Sequence, residues 1–303
     1  MIEKIKKNIF PAAWPAVEPW RKFRWDCGPR GIRTGQINSS QALCIDVFGA
    51  IQNHAQKNDV LDAIAGSIGL ESGHGQWQIT FEWMDGENTH NLNEKRQTQI
   101  DVVLKSEKHL IFVECKFTES GFGECSRPIP KREYGGLSEC NGNFETQDDP
   151  IRYALFRHAG IRLEDAKCAL ERAGIRYWQF IPETMRIDPL QILKPCPFNG
   201  PLYQLMRNLV LCWRIASLHG LRPTVLIVYA SAAGLPFPDW IRTAHWNACV
   251  DLVRRDKIGL EAISYQEMID IASGISGPGK AYWKELRAWV DRKIRWSLQR
   301  RGR

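Results

Sequence analysis

The chain has 303 residues, 44% of them hydrophobic and 25% charged, with a formal net charge of +7. That is the balance of a soluble globular protein with a sizeable core, built as one large domain or one with appendages. No apolar run approaches the roughly 20 uncharged residues of a bilayer span, and the opening Met1-Ile2-Glu3-Lys4-Ile5-Lys6-Lys7 lacks the apolar stretch of a signal peptide, so a cytoplasmic protein with no membrane partner is expected. Nine cysteines without a CxxC pair are too scattered for a small disulfide scaffold. Cys125, Cys140, Cys168 and Cys196 are spaced too widely and irregularly to argue for zinc or an iron–sulfur cluster.

Residues 1–38 are rich in Pro, Trp and Gly without a sustained period and read as an arm laid over the domain. Arg21, Lys22 and Arg24 sit there among Trp14, Trp20, Phe23 and Trp25. Ser39-Ser40 offers an N-cap to a helix with Leu43, Val47, Ile51 and Ala55 on one face, and residues 59–68 continue helically. Gln76-Trp77-Gln78-Ile79-Thr80-Phe81-Glu82-Trp83 alternates as a strand does, with Glu82 near its end. Two apolar runs, 100–104 and 110–117, flank the polar Lys105-Ser106-Glu107-Lys108-His109 and predict a β-hairpin. From 118 to about 150 Gly, Ser, Pro and Asn dominate, a long irregular insertion of a kind that is often functional.

Helical patterning returns at 151–159 and 163–173. Pro201 suits the first turn of a core helix carrying Leu202, Leu205, Leu209, Trp213 and Ala216 on one stripe. Residues 224–229 are continuously apolar and β-branched, as in a strand buried on both faces. A helix over 238–255, a short strand over 260–264 and the capping box Ser264-Tyr265-Gln266-Glu267 follow. The last helix sets Trp283, Leu286, Val290, Ile294 and Leu298 on one stripe. This order predicts an α/β fold, a central mixed sheet flanked by helices, with its core over 39–275 and a basic C-terminal helix over 276–303. From Lys280 to Arg303 nine basic residues, Lys284, Arg287, Arg292 and Arg295 among them, face two acidic ones. Both basic ends suit phosphate binding by counterion release, with aromatic rings for base stacking. As solvated faces anchored by those rings they need no partner at all.

The hairpin carries the chemistry. With the turn centred between Glu107 and Lys108, partners across it have numbers summing to 215, which sets Asp101 opposite Glu114. The period of two then puts Lys116 on the face of Glu114. Opposed carboxylates repel, and these two stand among Ile, Val, Leu and Phe, where an unpaired charge is costly. A divalent cation would compensate. An oxygen-only pair suits Mg²⁺, which keeps several waters and takes its remaining ligands from a phosphate. Such an ion lowers the pKa of a bound water that attacks phosphorus, while a nearby Lys116 orients that water and stabilises the growing negative charge. For any hairpin with an acid in each strand a buried acid–lysine ion pair is the plainer explanation. An ExK triplet ending an apolar strand, after an Asp in the adjoining strand of a basic chain, favours a site.

Gln99-Ile100-Asp101 followed by Glu114-Cys115-Lys116 resembles the PD-(D/E)XK superfamily of restriction-endonuclease-like nucleases, with Ile100 in place of the proline that names the motif. Ser39-Ser40-Gln41, Phe81-Glu82-Trp83 and Glu114-Cys115-Lys116-Phe117-Thr118-Glu119 extend the likeness to a group of bacterial restriction-endonuclease-like proteins, over about residues 39 to 119. The resemblance implies Asp101 and Glu114 as metal ligands, the Cys115 carbonyl as a further one, and Lys116 as the group assisting the nucleophile. It also implies an upstream glutamate, Glu82 before Glu71, for which a strand-edge ion pair and an exposed loop position are the respective alternatives. Glu119 and Gln41 are candidates to line the cleft; His74, His90 and His109 lie in polar loops and need no catalytic role. The implied activity is that of a Mg²⁺-dependent endodeoxyribonuclease of restriction, antiviral defence or mobile-element biology, with Mn²⁺ substituting. DNA is the expected partner, RNA is served equally by the same hairpin, and a homodimer is the simplest way to cut two strands with one site per subunit. The rival is a noncatalytic nucleic-acid-binding or assembly module that kept the fold.

Overall fold

A computed structural model describes residues 2–29, 31–71, 75–86, 91–132, 135–146, 167–275 and 279–301. The helical pattern at 151–159 lies outside the described residues. The arm begins with a helix, α1 (Ile2–Asn8), and a 3-10 segment, Pro11–Val17, and ends in a ribbon of β1 (Cys27–Gly28) and β2 (Gly31–Ile32). These pieces are too short to show a period. What fixes them is the burial of Ile5, Ile9, Phe10, Ala13 and Val17 in the main core, each worth on the order of 1–3 kcal/mol for its larger members.

Ser39 caps α2 (Ser40–Gln52) by accepting from the Ala42 N–H at 3.2 Å, and α3 (Lys57–Ser67) follows. The sheet comprises β3 (Gln78–Met84), β4 (Gln99–Lys105), β5 (His109–Lys116), β6 (Arg222–Tyr229) and β7 (Gly259–Ser264), in that spatial order. The first three strands are antiparallel neighbours, and β6 and β7 run parallel to β5. Between β5 and β6 come α4 (Ala169–Arg172), α5 (Tyr177–Thr184) and α6 (Tyr203–His219). After β6 come α7 (Pro236–Trp240) and α8 (Ala244–Leu252), and after β7 come α9 (Tyr265–Ile275) and α10 (Lys280–Arg301). The mixed sheet lies between two apolar clusters: one with α2, α3, α9, α10 and the arm, the other with α5, α6 and the α7–α8 segment.

The hairpin pairs from Lys105↔Leu110 to Val102↔Val113, the register required by a turn between Glu107 and Lys108. Every residue of β5 is buried, so it is the central strand in burial as well as position. The capping box forms in full: the Glu267 N–H donates to Ser264 Oγ at 3.1 Å and the Ser264 N–H to Glu267 Oε2 at 2.8 Å. Two helical expectations change. The helix over 238–255 is split into α7 and α8, because Thr243 turns back onto Trp240 and recaps the chain by accepting from the Trp246 N–H at 3.4 Å. Within the described residues, the helix over 163–173 is only the single turn α4. Residues of α5 were not foreseen as helical; the segment is short and contains Pro182.

A buried ion pair closes the assembly. Lys293 of α10 bonds to Asp46 of α2 and to the Asn8 carbonyl, while Asp46 also accepts from the Phe10 N–H at 2.6 Å and from Trp289 Nε1 at 3.1 Å. Arm, second helix and last helix thus meet at one carboxylate. Burial pushes the Asp46 carboxyl up and the Lys293 ammonium down, against their mutual attraction. Among the described residues no helix is long and apolar enough to cross a membrane.

Candidate active site

The site begins where the sheet is irregular. Phe81 pairs with Val102 and Trp83 with Ile100, but the Glu82–Asp101 pair between them is absent from the ladder. Phe81 and Val102 pack on the α2 side, whereas Trp83 and Ile100, two residues along, pack on the α6 side. A period of two would have kept both pairs on one face. The turnover occurs at Glu82, whose φ is +49°, in the left-handed region. For a residue with a long side chain this conformation costs of order 1–3 kcal/mol and persists only when its surroundings hold it.

Beyond Val102↔Val113 the hairpin ladder stops as well. Asp101 takes over there with its side chain: Oδ2 accepts the Cys115 N–H at 2.8 Å. The carboxylate is therefore seated between β4 and β5, beside Glu114. Glu114 (2% exposed) is held on two sides, by Lys116 Nζ at 2.8 Å on Oε1 and by Asn208 Nδ2 at 2.9 Å on Oε2. Lys116 also donates to Gln204 Oε1 at 3.3 Å and stands 5.0 Å from the centre of the Phe122 ring. The Cys115 side chain packs in the opposite core, so what it presents to the cleft is its main chain.

Glu82 (7% exposed) completes the acid group. Gln41 Nε2 donates to its Oε1 at 2.7 Å and Gln99 Nε2 to its Oε2. Gln41, at the start of α2, is a hub: it also donates to the Arg24 carbonyl at 2.9 Å and accepts from the Asp26 N–H at 2.8 Å and from Thr34 Oγ1. Glu119 accepts from Ser40 Oγ and from the Phe117 and Thr118 N–H groups at 2.8 and 2.9 Å. These groups line an open cleft of about 510 Å³, whose walls also include Trp25, Asp26, Arg33, Arg96 and Gln204.

Electrostatics at the floor are unfavourable to so much negative charge. Burial raises the Asp101 carboxyl well above the usual range, with Glu114 and Glu82 adding repulsion and the Cys115 N–H and Lys116 opposing. Part of Asp101 stays open to the cleft, but its carboxylate is enclosed by protein. Glu82 is pushed up to about 7, first by burial and then by Asp26 and Glu114, against the two glutamine amides. Burial alone would lower the Lys116 ammonium; Glu114, Glu119 and Asp101 carry it upward on balance.

Of the residues singled out in the sequence, Asp101, Glu114, Cys115, Lys116, Glu82, Gln41 and Glu119 meet in this cleft. Glu71 does not: it is exposed at the far end of the sheet, paired with Arg222 at 2.9 Å. His109 is also at that end, stacked on Trp77, and His74 and His90 lie outside the described residues. Arg21, Lys22, Arg24, Lys284, Arg292 and Arg295 are exposed but do not line the cleft. Arg287 is half-buried and tied to Asp270 and Asp291. Gln204 and Asn208 were not foreseen. They lie one turn apart on α6, beside the core residues Leu205 and Leu209, and that polar pair on an apolar helix was their only trace in the sequence.

Among the described residues no three His, Cys, Asp or Glu side chains close on a common point as a finished ligand set. The donors present are of the right kind for a hard cation: carboxylate oxygens and a main-chain carbonyl, in a polar cleft with room for water and phosphate oxygens. The excess of carboxylates over the one ammonium is a further fit, since a cation would relieve it.

A five-stranded mixed sheet flanked by helices, with an acid–acid–lysine group where its hairpin ladder ends, defines a restriction-endonuclease-like protein. A family model described as Restriction Endonuclease associating with ARP matches residues 30–273, and the chain belongs to that family. Neither a curated protein nor a solved structure matches it.

Proposed function

We propose that the protein is a Mg²⁺-dependent endonuclease that hydrolyses phosphodiester bonds of DNA, in restriction, defence or mobile-element biology. The observation that carries this reading is that three enclosed carboxylates, Asp101, Glu114 and Glu82, line one open cleft with a single ammonium, Lys116, which is bonded to Glu114 alone among them. A fold gains nothing in stability from that arrangement. Burial, and after it like-charge repulsion, raises the Asp101 and Glu82 carboxyls, the Glu82 backbone is strained, and such conflicts cluster at functional sites.

Asp101, Glu114 and the Cys115 carbonyl would hold the metal, with Glu82 supplying a further charge beside it. When bound, the ion would polarise the phosphoryl oxygen and acidify a water. A water that gives up its proton to solvent would form the new P–O bond as the P–O bond to the leaving sugar oxygen breaks, that oxygen keeping the electron pair and taking a proton from solvent. Lys116, now bonded to Glu114, would turn its ammonium toward the cleft and stabilise the charge on the phosphoryl oxygens. Gln204 keeps that ammonium within reach. The exposed Arg21, Lys22 and Arg24, just before the wall residue Trp25, and the exposed Lys284, Arg292 and Arg295 of α10 would add phosphate contacts outside the cleft, whereas Arg287 is already taken by Asp270 and Asp291. A homodimer would bring one site to each strand.

A cleavage panel over supercoiled, linear and single-stranded DNA and over RNA tests the proposal. DNA should be cut with Mg²⁺ or Mn²⁺ and left whole in EDTA. Binding that weakens steeply with salt, with no cutting under any metal, would point instead to a noncatalytic nucleic-acid-binding module. RNA cut in preference to DNA would move the substrate.

A further inference from the structure

A second hollow adjoins the cleft and shares part of its wall, because Arg96, Gln99 and Gln204 line both. Its volume is about 410 Å³, in the range of pockets that enclose a single small ligand. The chemistry of its lining is mixed in an informative way. Leu170 and Ile175 contribute apolar surface, and Tyr203 stands beside them with the buried Tyr177 edge-on at 6.3 Å. Amide and hydroxyl groups of Gln97, Gln99 and Ser126 supply donors and acceptors.

Its cations fall into two kinds. Arg207 is fixed: Glu94 holds it at 3.0 Å, and its guanidinium lies 5.5 Å from the centre of the Tyr203 ring. Glu94 is itself pinned by the Thr98 N–H at 2.7 Å and by the Tyr177 hydroxyl. Arg127 is likewise held by Glu139. Lys95 and Arg96, by contrast, are exposed and make no ion pair among the described residues. Arg96 lies on the wall shared with the cleft that holds the carboxylates.

A phosphate alone would need only the cations. A half-open recess with some apolar surface, a ring already braced by a guanidinium and hydrogen-bonding edges fits a nucleobase as well. A base within an intact duplex cannot enter such a space, because its faces are stacked and its edge is paired. We propose that this hollow seats an unpaired nucleotide next to the scissile phosphate, with Lys95 and Arg96 on its phosphates and Tyr203 against its base. The preferred substrate is then a nucleic acid with a single-stranded or extruded nucleotide beside the cut. The inference rests on the nuclease reading for the position of the cut.

The test is fluorescence anisotropy with the full chain in EDTA, using a labelled single strand of DNA, the same strand in a perfect duplex, and a duplex with one unpaired nucleotide. The single strand and the bulged duplex should bind about tenfold more tightly than the perfect duplex. Replacing both exposed cations, Lys95→Ala with Arg96→Ala, should flatten the log–log salt dependence for the single strand by about 1.4, two contacts at roughly 0.7 each. Tyr203→Leu should weaken the single strand about tenfold with its salt slope unchanged. Equal binding of all three nucleic acids, or no effect of the double substitution, overturns the proposal. Because binding is read without metal, a chain that shows these shifts but cuts nothing keeps the hollow and loses the nuclease reading. A chain that cuts DNA while the double variant binds as the parent does keeps the nuclease and loses the hollow.

Discussion

Replacing Glu82 by glutamine should stabilise the metal-free protein at alkaline pH and not at acid pH. The Glu82 carboxyl is raised from 4.5 to about 7, burial being the largest cause. A raised pKa means that the folded chain keeps a proton that the unfolded chain releases. Stability is then fully present below about 4.5 and is lost as pH rises through about 7. With about 1.4 kcal/mol per pKa unit, the loss above pH 7 approaches about 3 kcal/mol. Glutamine carries no charge to lose. It needs the Gln99 amide to turn over so that an acceptor faces its new N–H, and that adjustment offsets roughly 1 kcal/mol. The net expectation is a gain of about 2 kcal/mol near pH 8, falling to nothing or slightly below near pH 4.5. Urea unfolding in EDTA across that range measures it, with the parent as reference so that titration of Asp101 largely cancels. Parallel stability curves for parent and Glu82→Gln would refute the electrostatic account of the cleft.

Two other changes probe the supports of the site and of the fold. Asn208→Ala removes the amide from Glu114 Oε2 and should lower unfolding stability by about 2 kcal/mol, as expected for a hydrogen bond to a charged group. Denaturant titration checks this, and saturating Mg²⁺ should narrow the difference. Lys293→Met leaves Asp46 buried without its cation and should destabilise by about 3–5 kcal/mol, whereas Asp46→Asn together with Lys293→Met, which removes the charge and keeps an acceptor for the Phe10 N–H, should recover part of the loss. Thermal unfolding of the single and double variants distinguishes an orphaned charge from lost packing.

How far the sequence reveals this site differs from strand to strand. The hairpin was legible because a polar turn between two apolar runs leaves one register that buries both, and Lys105↔Leu110 through Val102↔Val113 follow it. The termination of that ladder at Asp101 was not, since a side chain replacing a backbone acceptor leaves no periodic mark. Nor was the inversion at Glu82: alternation along β3 looks regular in sequence, and the positive φ depends on how three strands and α2 meet. Gln204 and Asn208 reach Glu114 and Lys116 from some ninety residues away because α6 packs on β5 and β6. Charge density located two basic ends but not their partners, and so Arg287 is spoken for by Asp270 and Asp291. The cations on the cleft wall are Arg33, which belongs to the basic opening segment, and Arg96, which belongs to neither basic end, along with Lys116.

We propose Asp101, Glu114 and Lys116 as a metal-dependent phosphodiesterase centre. Single-turnover DNA cleavage in Mg²⁺ by the parent and by Asp101→Ala, Glu114→Ala and Lys116→Ala, each first shown to be folded by its near-UV circular dichroism, tests it most directly. The parent should cut, with no cutting in EDTA, and each folded variant should lose at least about a thousandfold, the scale of removing a principal electrostatic or metal-binding group. Cutting at the parent's rate by all three variants would contradict it.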